Sequence, residues 1–191
     1  MDADPDRVGI LLPGGGYTTA MPLLFFARSL LQAHRWTTVG VDWEPPADFG
    51  RSPGWVGDQL AGVLDTARAD RVVVVGKSLG SLAALWTDSP AVWLTPLLAR
   101  DERGLALDAL LRERRGVGMV EAIARSQSPA LLIGGTADPW WDGEQARLTG
   151  KEVLEVDGAG HGMEHDRDPR RSVETLGRVV AAIDDFVASL G

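Results

Sequence analysis

The chain has 191 residues, 45% apolar and 24% charged, with no cysteine and a formal net charge of −8 at pH 7. That length reads as one domain, 1–191, able to bury its own core. The acidic balance speaks against nucleic acid and anionic membrane surfaces as partners. The absence of cysteine excludes disulfides and a thiol nucleophile.

The opening stretch MDADPDRVGILLPGGG is acidic with a short apolar run, so it does not read as a signal peptide. No stretch reaches the ~20 apolar residues that span a bilayer. A cytoplasmic protein is expected. Residues 8–12 (VGILL) predict a strand closed by Pro13 and the triplet Gly14-Gly15-Gly16. Residues 21–33 carry an apolar stripe at helical spacing, and 37–43 (TTVGVDW) predict a second strand ended by Glu44-Pro45-Pro46. A loop over 44–54 leads to a helix over 55–69. The third strand, 71–75, is the most telling: β-branched residues without alternation indicate burial on both faces, as inside a parallel sheet. An apolar helix is expected after it, from Ser81 through Trp86.

Further on, 91–94 (AVWL) predicts a short fourth strand and 129–133 (PALLI) a fifth. The polar stretch between them, 95–128, has room for two helices, around 105–112 and 119–126, and not for a large lid. A short helix over 144–148 precedes 151–156 (KEVLEV), which alternates as an edge strand should. The closing helix, 171–190, places Val173, Leu176, Val179, Val180, Ile183, Phe186 and Val187 at spacings of three and four. Strand and helix alternate throughout. That pattern predicts an α/β fold, a doubly wound and mostly parallel sheet of about six strands with helices on both faces. Reactive loops in such sheets gather at the carboxyl ends of the strands, which brings Gly14–Tyr17, Ser78, Thr95, Asp138 and the loop after Val156 to one edge.

Gly76-Lys77-Ser78-Leu79-Gly80 matches G-x-S-x-G, in which a sharp strand-to-helix turn holds a serine hydroxyl at its apex. The pentapeptide alone is a weak signal; a buried strand before it and an apolar helix after it strengthen it. Serine needs a base, oriented in turn by a third group. Of the three histidines, His34 sits at the end of the first helix, where a capping or surface role suffices. His161 lies in a glycine-flanked loop after the last strand and is the candidate base, against a turn histidine satisfied by backbone. Asp138, at the end of the fifth strand, is the candidate orienting acid, with Asp142 and Asp157 as substitutes; a plain turn or N-cap aspartate is the bland alternative. Candidate oxyanion donors are the N–H of Leu79 and an amide of the loop Gly15, Gly16, Tyr17. Trp140 and Trp141 follow Asp138 and could wall a pocket, whereas Trp86 and Trp93 read as core. Lys77 reads first as a solvated lysine and second as a contact for a substrate carboxylate.

Two decoys fall away. Gly76-Lys77-Ser78 lacks the earlier glycine of a phosphate loop, because Arg71 stands there, and Gly14-Gly15-Gly16 lacks the third glycine of a dinucleotide turn, because Thr19 does. A third, His161-Gly162-Met163-Glu164-His165, satisfies H-x-x-E-H, an inverted zinc-protease pattern. Glycines at 158, 160 and 162 argue against the helix that such a site requires, so no metal and no cofactor are expected.

LLPGGGY, GKSLGS, GGTADPWW and GAGHGME together resemble the α/β-hydrolase superfamily across nearly the whole chain, most of all its small, cap-poor serine hydrolases. The resemblance implies a Ser78, Asp138, His161 triad acting on a small carboxylic ester or thioester through an acyl-enzyme. The chain departs from that pattern at Pro13, where lipases and esterases often carry histidine, and at Lys77, where a bulky residue is commoner. The competing reading is a non-catalytic or vestigial binding protein of the same fold. Oligomeric state is not legible.

Overall fold

A computed structural model describes residues 3–46 and 54–191. Most of the loop expected over 44–54 therefore lies outside the described residues. Strands β1 (Asp4–Leu12), β2 (Trp36–Gly40), β3 (Arg71–Lys77), β4 (Ala91–Leu94), β5 (Ala130–Gly135) and β6 (Glu152–Val156) form one sheet in the order β2-β1-β3-β4-β5-β6. Every neighbouring pair is parallel. Helices α1 (Pro22–Ala33), α2 (Trp55–Ala67), α3 (Glu102–Arg115), α4 (Met119–Arg125), α5 (Gly143–Leu148) and α6 (Pro169–Ser189) supply the connections and the chain end.

Because side chains alternate across a strand, the valine run of β3 serves two cores at once. Val74 joins Leu12, Trp93 and Leu132 beneath α2, α4 and α5. Val73 and Val75 join Val92, Ile133 and the apolar faces of α1 and α6 on the other side. This two-sided burial makes β3 the axis of the sheet and fixes where its last residue, Lys77, hands the chain on to Ser78.

The expected elements differ from the observed ones in three instructive places. First, β2 stops at Gly40 instead of running to residue 43. Among the described residues its only partner is β1, whose ladder ends at Leu11↔Gly40 just before Pro13, and no described strand pairs with Asp42 or Trp43. Second, the segment after Ser78 is a 3-10 helix, Ser78–Leu85, not an α-helix. All eight of its residues are buried, and the Ser81 hydroxyl donates to the Ser78 carbonyl three residues back at 2.6 Å, which favours the tighter winding. Third, Val173 on α6 is 69% exposed while Thr175 is buried in its stead. His34, as expected, ends α1, with its Nε2 2.7 Å from Asp184 Oδ1 on α6.

Candidate active site

The strand-to-helix turn is built by contact. A Cβ on Gly80 would lie 2.2 Å from the Leu12 carbonyl oxygen, and one on Gly76 would lie 2.6 Å from the Gly80 carbonyl oxygen. Only hydrogens fit at either place. With its neighbours so close, Ser78 takes φ +52°, a left-handed conformation that holds roughly 1–3 kcal/mol of strain for a non-glycine residue. The result is a serine at the end of β3 that is 9% exposed.

The loops after β5 and β6 come to meet it, stitched to each other. Thr136 N–H donates to the Val156 carbonyl at 3.0 Å, and Ala137 N–H to the Ala159 carbonyl at 3.0 Å. Gly158 N–H donates to Thr136 Oγ1 at 2.7 Å. These bonds carry Asp138 and His161 as one unit. His161 Nε2 lies 2.8 Å from Ser78 Oγ, and His161 Nδ1 lies 2.8 Å from Asp138 Oδ2. The Asp138 side chain is fully buried while the imidazole is 30% exposed. A carboxylate on Nδ1 favours the tautomer with the proton there, leaving Nε2 free to accept from the serine.

The substitutes for the acid are engaged elsewhere. Asp142 caps α5, accepting from the Glu144 and Gln145 amides. Asp157 is a surface group that accepts from Thr136 Oγ1 at 3.2 Å. His165, the second histidine of the H-x-x-E-H stretch, is buried and pairs with Thr175 Oγ1 at 2.8 Å. Its backbone N–H also donates to Ser172 Oγ at 2.8 Å. It ties the His161 loop to α6, and its ring is committed away from that of His161. Among the described residues no three His, Asp or Glu side chains converge as metal ligands do.

In the loop after β1, Tyr17 N–H already donates to the Gly14 carbonyl at 3.3 Å. Among the described residues the Gly15 and Gly16 amides have no acceptor, and Gly16 has φ +67°. Beyond this loop a cleft of ≈ 580 Å³ opens between Tyr17 and Trp43. Trp140 contributes its N–H to Asp138 Oδ1 at 2.8 Å, and its ring faces the Arg103 guanidinium at 4.8 Å. Trp141 is core: it packs on Gly134, and its indole N–H donates to Glu155 at 2.7 Å. Lys77 is not solvated, since only 4% of it is exposed. Residue types alone do not point to Thr136 or Thr175, and His165 stands out in the sequence only through H-x-x-E-H; their parts come from loop-to-loop and loop-to-helix contacts.

No family profile matches the sequence, and no curated protein sequence does. Solved structures do. Est1E from Butyrivibrio proteoclasticus superposes with a TM-score of 0.71 at 12% identity, over 96% of this chain and 87% of that one. The chain has the α/β-hydrolase fold. Other structures similar to this chain are the monoacylglycerol lipase of Paleococcus ferrophilus (TM-score 0.67, 16% identity, 97% of each chain) and the carboxylesterase CesB of Bacillus subtilis (TM-score 0.66, 16% identity, 98% and 86%). In the α/β-hydrolase fold a nucleophile, an acid and a histidine come in this chain order, which is the order of Ser78, Asp138 and His161 here.

Proposed function

We propose that the protein is a serine hydrolase that cleaves a small carboxylic ester or thioester through an acyl-enzyme. One observation carries this reading: the imidazole of His161 bridges Ser78 Oγ through Nε2 and Asp138 Oδ2 through Nδ1, both contacts 2.8 Å. As the Ser78 oxygen attacks the substrate carbonyl, His161 Nε2 takes the hydroxyl proton. Asp138 then faces an imidazolium, whose charge it stabilises without taking the proton itself. The carbonyl oxygen becomes an oxyanion held by the N–H of Leu79 and by the loop Gly15, Gly16, Tyr17. Within that loop the amides of Gly15 and Gly16 are the available donors. His161 returns the proton to the leaving oxygen or sulfur, and the acyl group stays on Ser78. Water, deprotonated by His161, repeats the cycle in reverse and frees the acid.

The cleft beside Tyr17 and Trp43, with a connection between β4 and β5 of only the two helices α3 and α4, favours short or water-soluble esters. No helix among the described residues is long and apolar enough to cross a membrane; our reading is a cytoplasmic enzyme acting on a dissolved substrate. The test is rapid mixing with 4-nitrophenyl acetate, butyrate and octanoate. One equivalent of 4-nitrophenol should appear in a burst and be abolished in Ser78→Ala, with the octanoate slowest. No release by the wild type would favour a binding protein of this fold, and an octanoate preference would overturn the substrate range.

A further inference from the structure

Lys77 stands immediately before the nucleophile and takes no part in the mechanism above. Its stem flanks the oxyanion loop: a Cβ on Gly14 would lie 3.2 Å from Lys77 Cδ and equally 3.2 Å from Ser78 Cβ. The lysine stem and the reactive serine thus border the same glycine. The ammonium lies 4.9 Å from the centroid of the Tyr17 ring. Among the described residues it has no hydrogen-bond acceptor and no carboxylate at ion-pair distance, yet it is not among the atoms sealed from solvent.

A lysine this deep is ordinarily paired, because an ammonium stripped of water and left without an acceptor is costly. Two carboxylates act on it from a distance. Asp138 is occupied by His161 and by the Trp140 amide. Glu164 lies over Gly160 and Gly162, beside the histidine. Burial outweighs both and lowers the Lys77 pKa to about 8. The free protein therefore holds a nearly buried cation with unfilled donors between the oxyanion loop and the histidine loop.

We propose that Lys77 reads a carboxylate on the substrate, so that the compound cleaved is an ester that also bears a free carboxylate, docked on the ammonium between Tyr17 and Glu164. This rests on the hydrolase reading above and adds the substrate class. Charge-assisted hydrogen bonds of that kind are strong enough to favour the anionic ester about tenfold or more. Glu164 opposes the incoming anion, so Glu164→Gln should widen the preference.

The experiment compares kcat/KM within two pairs of esters. Mono-4-nitrophenyl glutarate against 4-nitrophenyl valerate puts the charge on the acyl side. 4-Acetoxybenzoate against 4-acetoxybenzamide puts it on the alcohol side. In at least one pair the wild type should favour the anionic member about tenfold. Lys77→Met should bring that ratio to about one, and Lys77→Arg should keep most of it. The wild-type ratio should also fall between pH 7 and pH 9.5, as the ammonium loses its proton near pH 8. A lysine that only packs on Tyr17 would change the melting temperature of Lys77→Met and leave the ratio where it was. A ratio near or below one in both pairs, or one that survives Lys77→Met, overturns the proposal. If neither pair is cleaved, the hydrolase reading fails first. Calorimetric titration of Ser78→Ala protein with glutarate then decides this one: binding lost on adding Lys77→Met supports it, and no binding ends it.

Discussion

Asp138 and Trp140 share a hydrogen bond that leaves the carboxylate divided, Oδ1 accepting from the Trp140 amide at 2.8 Å while Oδ2 faces His161. A single side chain thus makes its own turn and orients the ring. Asp138→Asn separates the two tasks. The asparagine carbonyl can still accept from Trp140, so the fold should hold, with a melting temperature close to that of the wild type. Its NH2 would face Nδ1 and enforce the wrong imidazole tautomer. Turnover of 4-nitrophenyl acetate should fall on the order of 10⁴-fold, the scale of that effect where it is known. A loss under tenfold would remove Asp138 from the mechanism.

Gly80→Ala should be far more damaging than an exposed glycine substitution. The added methyl would meet the Leu12 carbonyl at 2.2 Å, a backbone atom of the buried last pair of the β1–β3 ladder. Overpacking of this kind destabilises by about 1–3 kcal/mol or more. Denaturant unfolding of Gly80→Ala beside Gly177→Ala, where a Cβ meets nothing within 4 Å, measures it. Equal midpoints would contradict the geometry of the turn.

Much of this was legible in the sequence, for a physical reason. Runs buried on two faces, such as the four valines of β3, need no context to be recognised, and the glycines at 76 and 80 announce a turn that admits nothing larger. What escaped depends on a neighbour. The polar start of β1, Asp4–Arg7, is a strand because Arg7 pairs with Arg71 and, across an irregular register, Asp4 pairs with Trp36. Its composition says nothing of that. Lys77 reads as a surface lysine until Tyr17 is placed over it, and that contact spans sixty residues of chain. The tightening of Ser78–Leu85 into a 3-10 helix likewise depends on a buried hydroxyl bond, Ser81 to Ser78, that apolar periodicity cannot express.

Burial of the Lys77 ammonium sets a pH dependence of stability. Its pKa is lowered to about 8 in the folded protein, chiefly by desolvation, while an unfolded lysine titrates near 10.4. Below pH 8 the folded state holds a charge that the unfolded state solvates better, and stability is reduced on the order of 3 kcal/mol. Between pH 8 and pH 10.4 the unfolded chain binds more protons, so this penalty disappears as pH rises. Lys77→Met should therefore be more stable than the wild type at pH 7, with the difference shrinking toward pH 10. Urea unfolding of both proteins across that range checks it; a constant difference would mean that the ammonium is not desolvated.

The pairing of His165 with Thr175 predicts a structural histidine. His165→Leu leaves the Thr175 hydroxyl buried without a partner and should lower stability by about 1–3 kcal/mol. Because His161 and His165 are committed to separate partners, prolonged treatment with EDTA should leave ester turnover unchanged. Activity lost to the chelator and restored by zinc would instead make the H-x-x-E-H stretch a metal site.

Everything turns on whether the hydroxyl held at the tip of the strained turn is reactive. Intact-mass spectrometry after exposure to a fluorophosphonate probe, followed by peptide mapping, asks this directly. The account predicts one adduct per chain, located on Ser78, absent in Ser78→Ala and strongly slowed in His161→Gln. An unmodified wild-type chain, or an adduct on another serine that persists in Ser78→Ala, would contradict it.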